Sequence, residues 1–172
     1  NGATAAIVER KLFYKFENKI NKDNLIVVNN SINAIRKLAI FSRQRAPKSR
    51  MICVTGSSGK TTIKEWLNQI LSERFITHSN PGNFNNHIGM PLSLSRMNPN
   101  TEICILELGM SKPNEIKKLS EISRPNISII TNIGPAHISN FNNQKEIANE
   151  KSDIFNFAEN NISIIPKDTE FY

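Results

Sequence analysis

The sequence predicts an α/β fold: a mostly parallel sheet flanked by helices and carrying a phosphate-binding loop, preceded by a partial, smaller α/β domain. Three observations lead there. From Met51 onward, short apolar runs alternate with amphipathic ones, the pattern of parallel strands joined by helical crossovers. The apolar run "MICVT" leads straight into Gly56-Ser57-Ser58-Gly59, and a well-patterned helix opens directly behind it. Before about residue 47, two strand-like runs and one helix form a separate block, closed by the polar, proline-containing "RAPKSR".

In that first block, "TAAIVE" and "LIVV" read as strands, and the mixed polar "KLFYKFENKINKDN" between them reads as a loop. Ser31 is expected to cap a helix whose apolar positions are Ile32, Ile35, Leu38, Ala39 and Phe41. In the second block, "MICVT" is a buried strand. "TTIKEWLNQILSERF" is a helix with Ile63, Trp66, Leu67, Ile70 and Leu71 on one face. "FITH" is a short strand, and "SNPGNFNNHIGMP" is a long loop. "EICILELG" and "NISIITNI" are strands separated by the helix "NEIKKLSEI". The helix "KEIANEKSDIFNFA" and the strand "ISIIP" complete the pattern. No internal repeat interrupts it.

Bulk properties narrow the function. The chain has 172 residues, enough for one domain or for one and part of another. It begins at Asn1 and stops at Tyr172 just after a strand-like run, so a trimmed piece or an incomplete gene product is expected. No apolar run approaches the roughly 20 residues that span a bilayer, and the first residues given do not read as a signal peptide. The two cysteines, Cys53 and Cys104, sit inside apolar runs and read as reduced core residues of a cytoplasmic protein. A disulfide between adjacent strands is the alternative. The net charge of +7 suits a polyanion. Its lysines and arginines, however, are spread along the chain with no dense basic run or interleaved aromatics, which argues against a nucleic-acid binder. A phosphorylated or carboxylated small substrate, or a merely solvated surface, explains the sign as well. Asparagine pairs recur throughout and carry little information singly.

The loop Gly56 to Thr62 departs from the common G-x-x-x-x-G-K-[ST] phosphate loop, because Val54 stands where its first glycine would. The shorter G-x-x-G-K-T remains. Its strand-to-helix setting aims backbone N–H groups and a helix N-terminus at one point, which makes an anion site. Lys60 adds a charge, and the Thr61 hydroxyl is suited to magnesium. A plain glycine-serine turn is the bland alternative. Glu107 ends a buried strand, where a carboxylate faces the ligand crevice and suits a hard cation, unless it is an N-cap or a surface acid. His137 follows another strand; a lone loop histidine is ordinarily just polar surface. Lys151 is four residues after Ile147, three before Ile154 and four before Phe155, so it shares the apolar side of its helix. Snorkelling of the ammonium to water is the ordinary explanation. Asn83, Asn85 and Asn86 lie in a loop long enough to suggest function. His78 and His87 read as structural.

Followed in order, "TGSSGKTT", "GNFNNHIGMPLSL", "ELGMSKPNEI", "TNIGPAHISNF" and "NEKSDIF" resemble the central ATPase domain of the Mur ligase superfamily. "GNxNNxIGxP" and "ELGM" resemble the type that adds D-alanyl-D-alanine to UDP-N-acetylmuramoyl-tripeptide. The resemblance covers about residues 47–172 as that domain, truncated at its C-terminal end. It extends to residues 1–46 only as the back part of a substrate-binding N-terminal domain, with the C-terminal domain absent. It implies a cytoplasmic, ATP-dependent and monomeric enzyme of peptidoglycan precursor synthesis, acting on those two small molecules, with no nucleic acid and no stable membrane insertion. It implies that Gly56, Ser57, Ser58, Gly59, Lys60, Thr61 and Thr62 hold the nucleotide. It also implies that Thr61, Glu107, His137 and Lys151 organise Mg2+, with Lys151 carbamylated, and that Lys60, Glu107, His137 and Lys151 serve catalysis. The resemblance further implies that Asn83, Asn85 and Asn86 shape the substrate cleft. The family often shows "KAKGEIF", and its first lysine is Asn149 here. The acceptor-binding groups belong to the missing domain, so the chain alone is expected to make no peptide bond. A related ligase making folylpolyglutamate or adding the third residue, a nucleotide-binding module without catalysis, and a basic nucleic-acid binder are the competing readings.

Overall fold

The computed structural model describes residues 3–17, 19–157 and 162–167. Two strands, β1 (Ala6–Glu9) and β2 (Leu25–Val28), pair in parallel with Ala6 beside Leu25. The segment between them, expected as plain loop, contains two 3-10 turns at Arg10–Lys15 and Lys22–Asn24. Helix α1 (Ser31–Arg45) follows. Its cap is Asn30, whose Oδ1 accepts the Asn33 N–H at 2.8 Å, and not the expected Ser31. Ser31 is instead the first helical residue, and its N–H and Oγ donate to Glu9 Oε1 at 3.0 and 2.9 Å. The carboxylate of β1 thus satisfies another of the donors left open at the helix start. The inward side of α1 is made by Ala39 and Ser42, which let α3 and α4 (defined below) approach closely, while Leu38 and Phe41 stay exposed.

Among the described residues, five parallel strands form the main sheet: β3 (Arg50–Thr55), β4 (Thr77–Ser79), β5 (Ile103–Glu107), β6 (Ile127–Ile130) and β7 (Ile162–Ile164). Their order is β4-β5-β3-β6-β7. The chain reaches β4 and β5 on one side of β3, then crosses to β6 and β7 on the other. The carboxyl ends of the three central strands therefore border the reversal of strand order where such sheets bind ligands.

The helices are α2 (Lys60–Ser72), α3 (Gly89–Ser95), α4 (Glu115–Ser123) and α5 (Gln144–Ser152), the last continued by a 3-10 turn at Asp153–Phe155. One core joins Met51, Cys53, Cys104 and Leu106 of the sheet to Ala39, Leu94, Leu119 and Ile147 of the surrounding helices. Both cysteines are free and buried in it, and burial pushes the Cys53 thiol up to about 12. The loop after β4 ends sooner than expected, because α3 starts at Gly89. Asn86 Oδ1 accepts the N–H groups of Ile88 and Gly89 at 3.0 and 2.8 Å, and Pro91 sits in the first turn, where its missing donor costs nothing.

Helix α2 packs on β3, β4 and β5 outside that core. Its apolar face differs from expectation. Trp66 and Ile70 are exposed, at 60% and 68%, whereas Lys64 is fully buried. The sheet-facing stripe runs through Ile63, Lys64, Leu67, Asn68 and Leu71, so the helix is rotated about one position from the stripe that hydrophobicity alone selects. Hydrogen bonds from Lys64 make that rotation tolerable. Among the described residues no helix is long and apolar enough to cross a membrane.

Candidate active site

The loop after β3 needs its glycines. Gly56 has φ +154° and Gly59 +76°, and a Cβ on Gly56 would lie 1.9 Å from Thr131 Oγ1. Behind the loop stands the segment that follows β6. Ser57 N–H donates to Asn132 O at 3.1 Å, and Ser58 N–H to Asn132 Oδ1 at 2.8 Å. Asn132 Nδ2 donates to Ser58 Oγ at 2.9 Å, and Ser57 Oγ both donates to Gly134 O and accepts its N–H at 2.9 Å. Thr131 Oγ1 closes the set on Ser58 O. The loop is therefore stitched to the segment that carries His137. Sequence reasoning gave Asn132 no role, because asparagine is too common here to stand out.

A Gly56→Ala variant should lose this arrangement. The methyl group cannot avoid the Thr131 side chain, and the backbone is one that alanine rarely adopts. Overpacking and strain together should cost about 2–5 kcal/mol, read as a lowered midpoint in urea. Adding Thr131→Ala should recover part of the loss by removing the clash. A Gly56→Ala chain with the parent's midpoint would contradict the geometry.

Lys60 Nζ donates back to Gly56 O at 2.8 Å, so its ammonium sits across the mouth of the loop. Burial holds its pKa below the ordinary lysine value, while Glu107 pulls the other way. Glu107, 1% exposed, ends β5 beside Val54 of β3. Its Oε2 accepts Thr61 Oγ1 at 2.7 Å, and its Oε1 accepts Asn85 Nδ2 at 2.6 Å. Asn85 O in turn accepts Gly109 N–H at 2.8 Å, and a Cβ on Gly109 would meet Asn85 Cγ at 2.7 Å. Thr62 is exposed on the first turn of α2, away from these bonds.

A cavity of about 520 Å³ opens beside these groups, and Thr61, Thr62 and Glu107 are not among the residues that line it. Gly56, Lys60, Asn83, Asn85, Asn86, His137 and Lys151 all line it, so the loop, the asparagine segment, the histidine and the lysine are brought to one place. His137 is exposed and holds a left-handed backbone, φ 65°, before a 3-10 turn at Ile138–Asn140. Lys151 is 1% exposed, and Ile147 and Ile154 of its helix face are fully buried. Burial first and the Lys60 charge second bring its pKa down to about 8, with Glu150 opposing. Glu150 itself accepts the N–H groups of Asn114 and Ile116 at 2.6 and 2.8 Å, capping α4.

Lys112, Glu115 and His87 also line the cavity, and His87 Nδ1 stands 3.8 Å from Glu115 Oε1. The sequence reading left His87 as structural because it looked for metal-ligand sets. Among the described residues no cluster of three His, Cys, Asp or Glu side chains forms. The nearest hard-oxygen pair is the Thr61 hydroxyl and the Glu107 carboxylate. That donor set fits a magnesium ion that takes most of its ligands from water and phosphate. The Lys151 amine fits such an ion only after losing its positive charge.

Residues 54–172 match the Mur ligase middle domain. The chain is 43% identical to the UDP-N-acetylmuramoyl-tripeptide–D-alanyl-D-alanine ligase of Rickettsia prowazekii (strain Madrid E), over 99% of this chain and 37% of that protein. It is 42% identical to the Bacillus subtilis (strain 168) ligase of the same name, over 77% of this chain and 29% of that one. Among solved structures it resembles MurF from Acinetobacter baumannii, with TM-score 0.84 and 33% identity over 99% of this chain and 36% of the other. It also resembles MurF ligase from Thermotoga maritima in complex with ADP, with TM-score 0.83 and 34% identity over 98% and 38%. The chain spans between 29% and 38% of the length of these relatives.

Proposed function

The chain belongs to the Mur ligase family, and from that premise we propose that it carries the nucleotide site of an ATP-dependent ligase joining D-alanyl-D-alanine to UDP-N-acetylmuramoyl-tripeptide in the cytoplasm. Residues 1–46 are then the back part of the substrate-binding domain, and residues 47–172 the front of the ATPase domain. A carboxylate of the tripeptide attacks the γ-phosphorus of ATP, giving an acyl phosphate and ADP. The amine of D-alanyl-D-alanine attacks the acyl carbon, phosphate leaves, and the amine's proton passes to a base. No stable membrane insertion and no nucleic acid are involved, and the working unit is a monomer.

The observation that carries this reading is the meeting of Gly56, Lys60, His137 and Lys151 at one cavity, with the hydrogen-bonded Thr61–Glu107 pair beside it at the start of α2 and the end of β5. The loop amides and Lys60 hold the β- and γ-phosphates and stabilise charge that spreads over the phosphoryl oxygens. Thr61 and Glu107 would hold Mg2+, which when bound would neutralise phosphate charge. His137 adds a weaker contact, since imidazole is an uncommon magnesium ligand. Asn83, Asn85 and Asn86 shape the wall of the cleft. Lys151 in its neutral form would react with carbon dioxide, N–C bond formation releasing one proton, and the carbamate anion would supply oxygen ligands for that ion.

The test is ATP binding by the chain with Mg2+ and with EDTA. Magnesium should tighten binding in the parent. Glu107→Gln should remove about 1.5–3 kcal/mol of that gain, the value of a charged contact, while affinity in EDTA stays unchanged. Equal magnesium dependence in parent and variant would sink the assignment of Glu107.

A further inference from the structure

Lys64 is the second feature of α2 that faces the sheet, one turn beyond Thr61. Its side chain is 0% exposed. Its Nζ donates to Asn80 O at 2.7 Å and to Gly82 O at 3.3 Å, and it pairs with Glu65 Oε1 at 2.8 Å. An ammonium has three donors and no acceptor, so this set uses all of them. A buried ammonium persists only when paired, so the carbonyls of the loop hold the lysine and the lysine holds the loop.

The loop end that it grips is itself bound to Glu107. Asn80 is 0% exposed, and its side chain donates to Glu107 O at 3.0 Å and accepts Glu107 N–H at 2.8 Å. The same amide donates to Phe84 O at 2.8 Å, which fixes the loop just before Asn85. Asn85 then reaches Glu107 Oε1 at 2.6 Å. Both backbone groups of Glu107 and one carboxylate oxygen thus depend on a loop anchored by one buried charge. The other oxygen is held by Thr61 of the same helix.

We propose that Lys64 is a positioning residue for the Glu107 carboxylate, acting through Asn80 and the loop of residues 80–86. The inference rests on the reading of Glu107 as part of a magnesium–nucleotide site. Lys64 and Asn80 line no part of the cavity, and the contacts they make run through the loop and the Glu107 backbone. Their work is to set the direction in which the carboxylate faces.

The experiment compares the 172-residue chain with Lys64→Met, which keeps the length and removes the donors, and with Asn80→Ala, which breaks the relay from its other end. Two readouts are taken. Amide hydrogen exchange, followed by NMR, should rise about tenfold at Glu107 and Gly109 in both variants while Cys53 of β3 keeps its protection. ATP affinity in EDTA should stay within about twofold of the parent, while the gain on adding Mg2+ falls about tenfold. The double variant should lose no more than the worse single one, since both act through one chain of contacts. Unchanged exchange at Glu107 and Gly109, an undiminished magnesium gain, or additive losses would each overturn the relay. Exchange raised equally at Cys53 would reduce Lys64 to a general stabiliser and overturn it too. If Lys64→Met does not fold, Asn80→Ala decides by the same criteria. A parent chain with no magnesium-dependent gain overturns the functional reading instead, and it leaves the exchange result to judge the contacts.

Discussion

Lys60→Ala is expected to leave a folded chain that binds ATP about tenfold to a hundredfold more weakly, the equivalent of losing one charged hydrogen bond of about 1.5–3 kcal/mol. Folding should survive because Lys60 makes one described hydrogen bond, to Gly56 O, within its own loop. Two Gly56-to-Ser58 anchors, Asn132 and Thr131, do not involve it. The binding loss should appear with and without Mg2+, unlike that of Glu107→Gln, because the proposed contact of the ammonium is with phosphate directly. A second consequence separates a local effect from a general one. The Lys60 charge helps to hold the Lys151 pKa down, so in Lys60→Ala the Lys151 amine should titrate higher than in the parent. ATP affinity equal to the parent's would remove the phosphate role from the loop, whatever happened at Lys151.

The parts of this fold that were legible beforehand are those set by local pattern. The alternation of buried runs and amphipathic helices after Met51 determines a parallel sheet, and the strand–GSSG–helix junction determines where an anion would sit. Lys151 was legible because its spacing from Ile147 and Ile154 is helical, and it is buried with them. The same arithmetic applied to Lys64, three residues before Leu67 and seven before Leu71, would have singled it out as well. It went unread because Trp66 and Ile70 made a more hydrophobic stripe, and helix rotation is decided by tertiary packing rather than by hydrophobicity along the chain. Asn80 and Asn132 could not be read at all. Their importance lies in reaching backbone groups of Glu107 and Ser58, 27 and 74 residues away in sequence. Ser31 was misassigned for a related reason. Asn30 and Ser31 are both good caps, and the carboxylate that claims Ser31 comes from β1.

Lys151→Met should give a chain that is more stable than the parent at neutral pH and equal to it in strong alkali. The sign follows from where the proton sits. In the unfolded chain Lys151 titrates near 10.5, and in the folded one near 8, lowered by burial and by Lys60 against the pull of Glu150. Below pH 8 both states carry the charge, and the folded state bears the full penalty of holding it. From pH 8 to 10.5 the unfolded state binds more protons, so parent stability rises with pH through that window. The penalty at neutral pH is of order 3 kcal/mol, a shift of several degrees in melting temperature for a chain of this size. Methionine fills the same space without the charge, so its curve should be flat where the parent's climbs. Parallel curves from pH 7 to 10 would mean that the amine is solvated. The property that would serve the proposed chemistry is an amine that loses its proton within reach of neutrality. ¹³C-bicarbonate should accordingly produce a carbamate signal in the parent that Lys151→Met lacks, and it should raise the parent's melting temperature, because an anion beside Lys60 replaces a second cation. A parent with neither the signal nor the shift would leave Lys151 as a buried cation with no chemical partner, and carbamylation would fall.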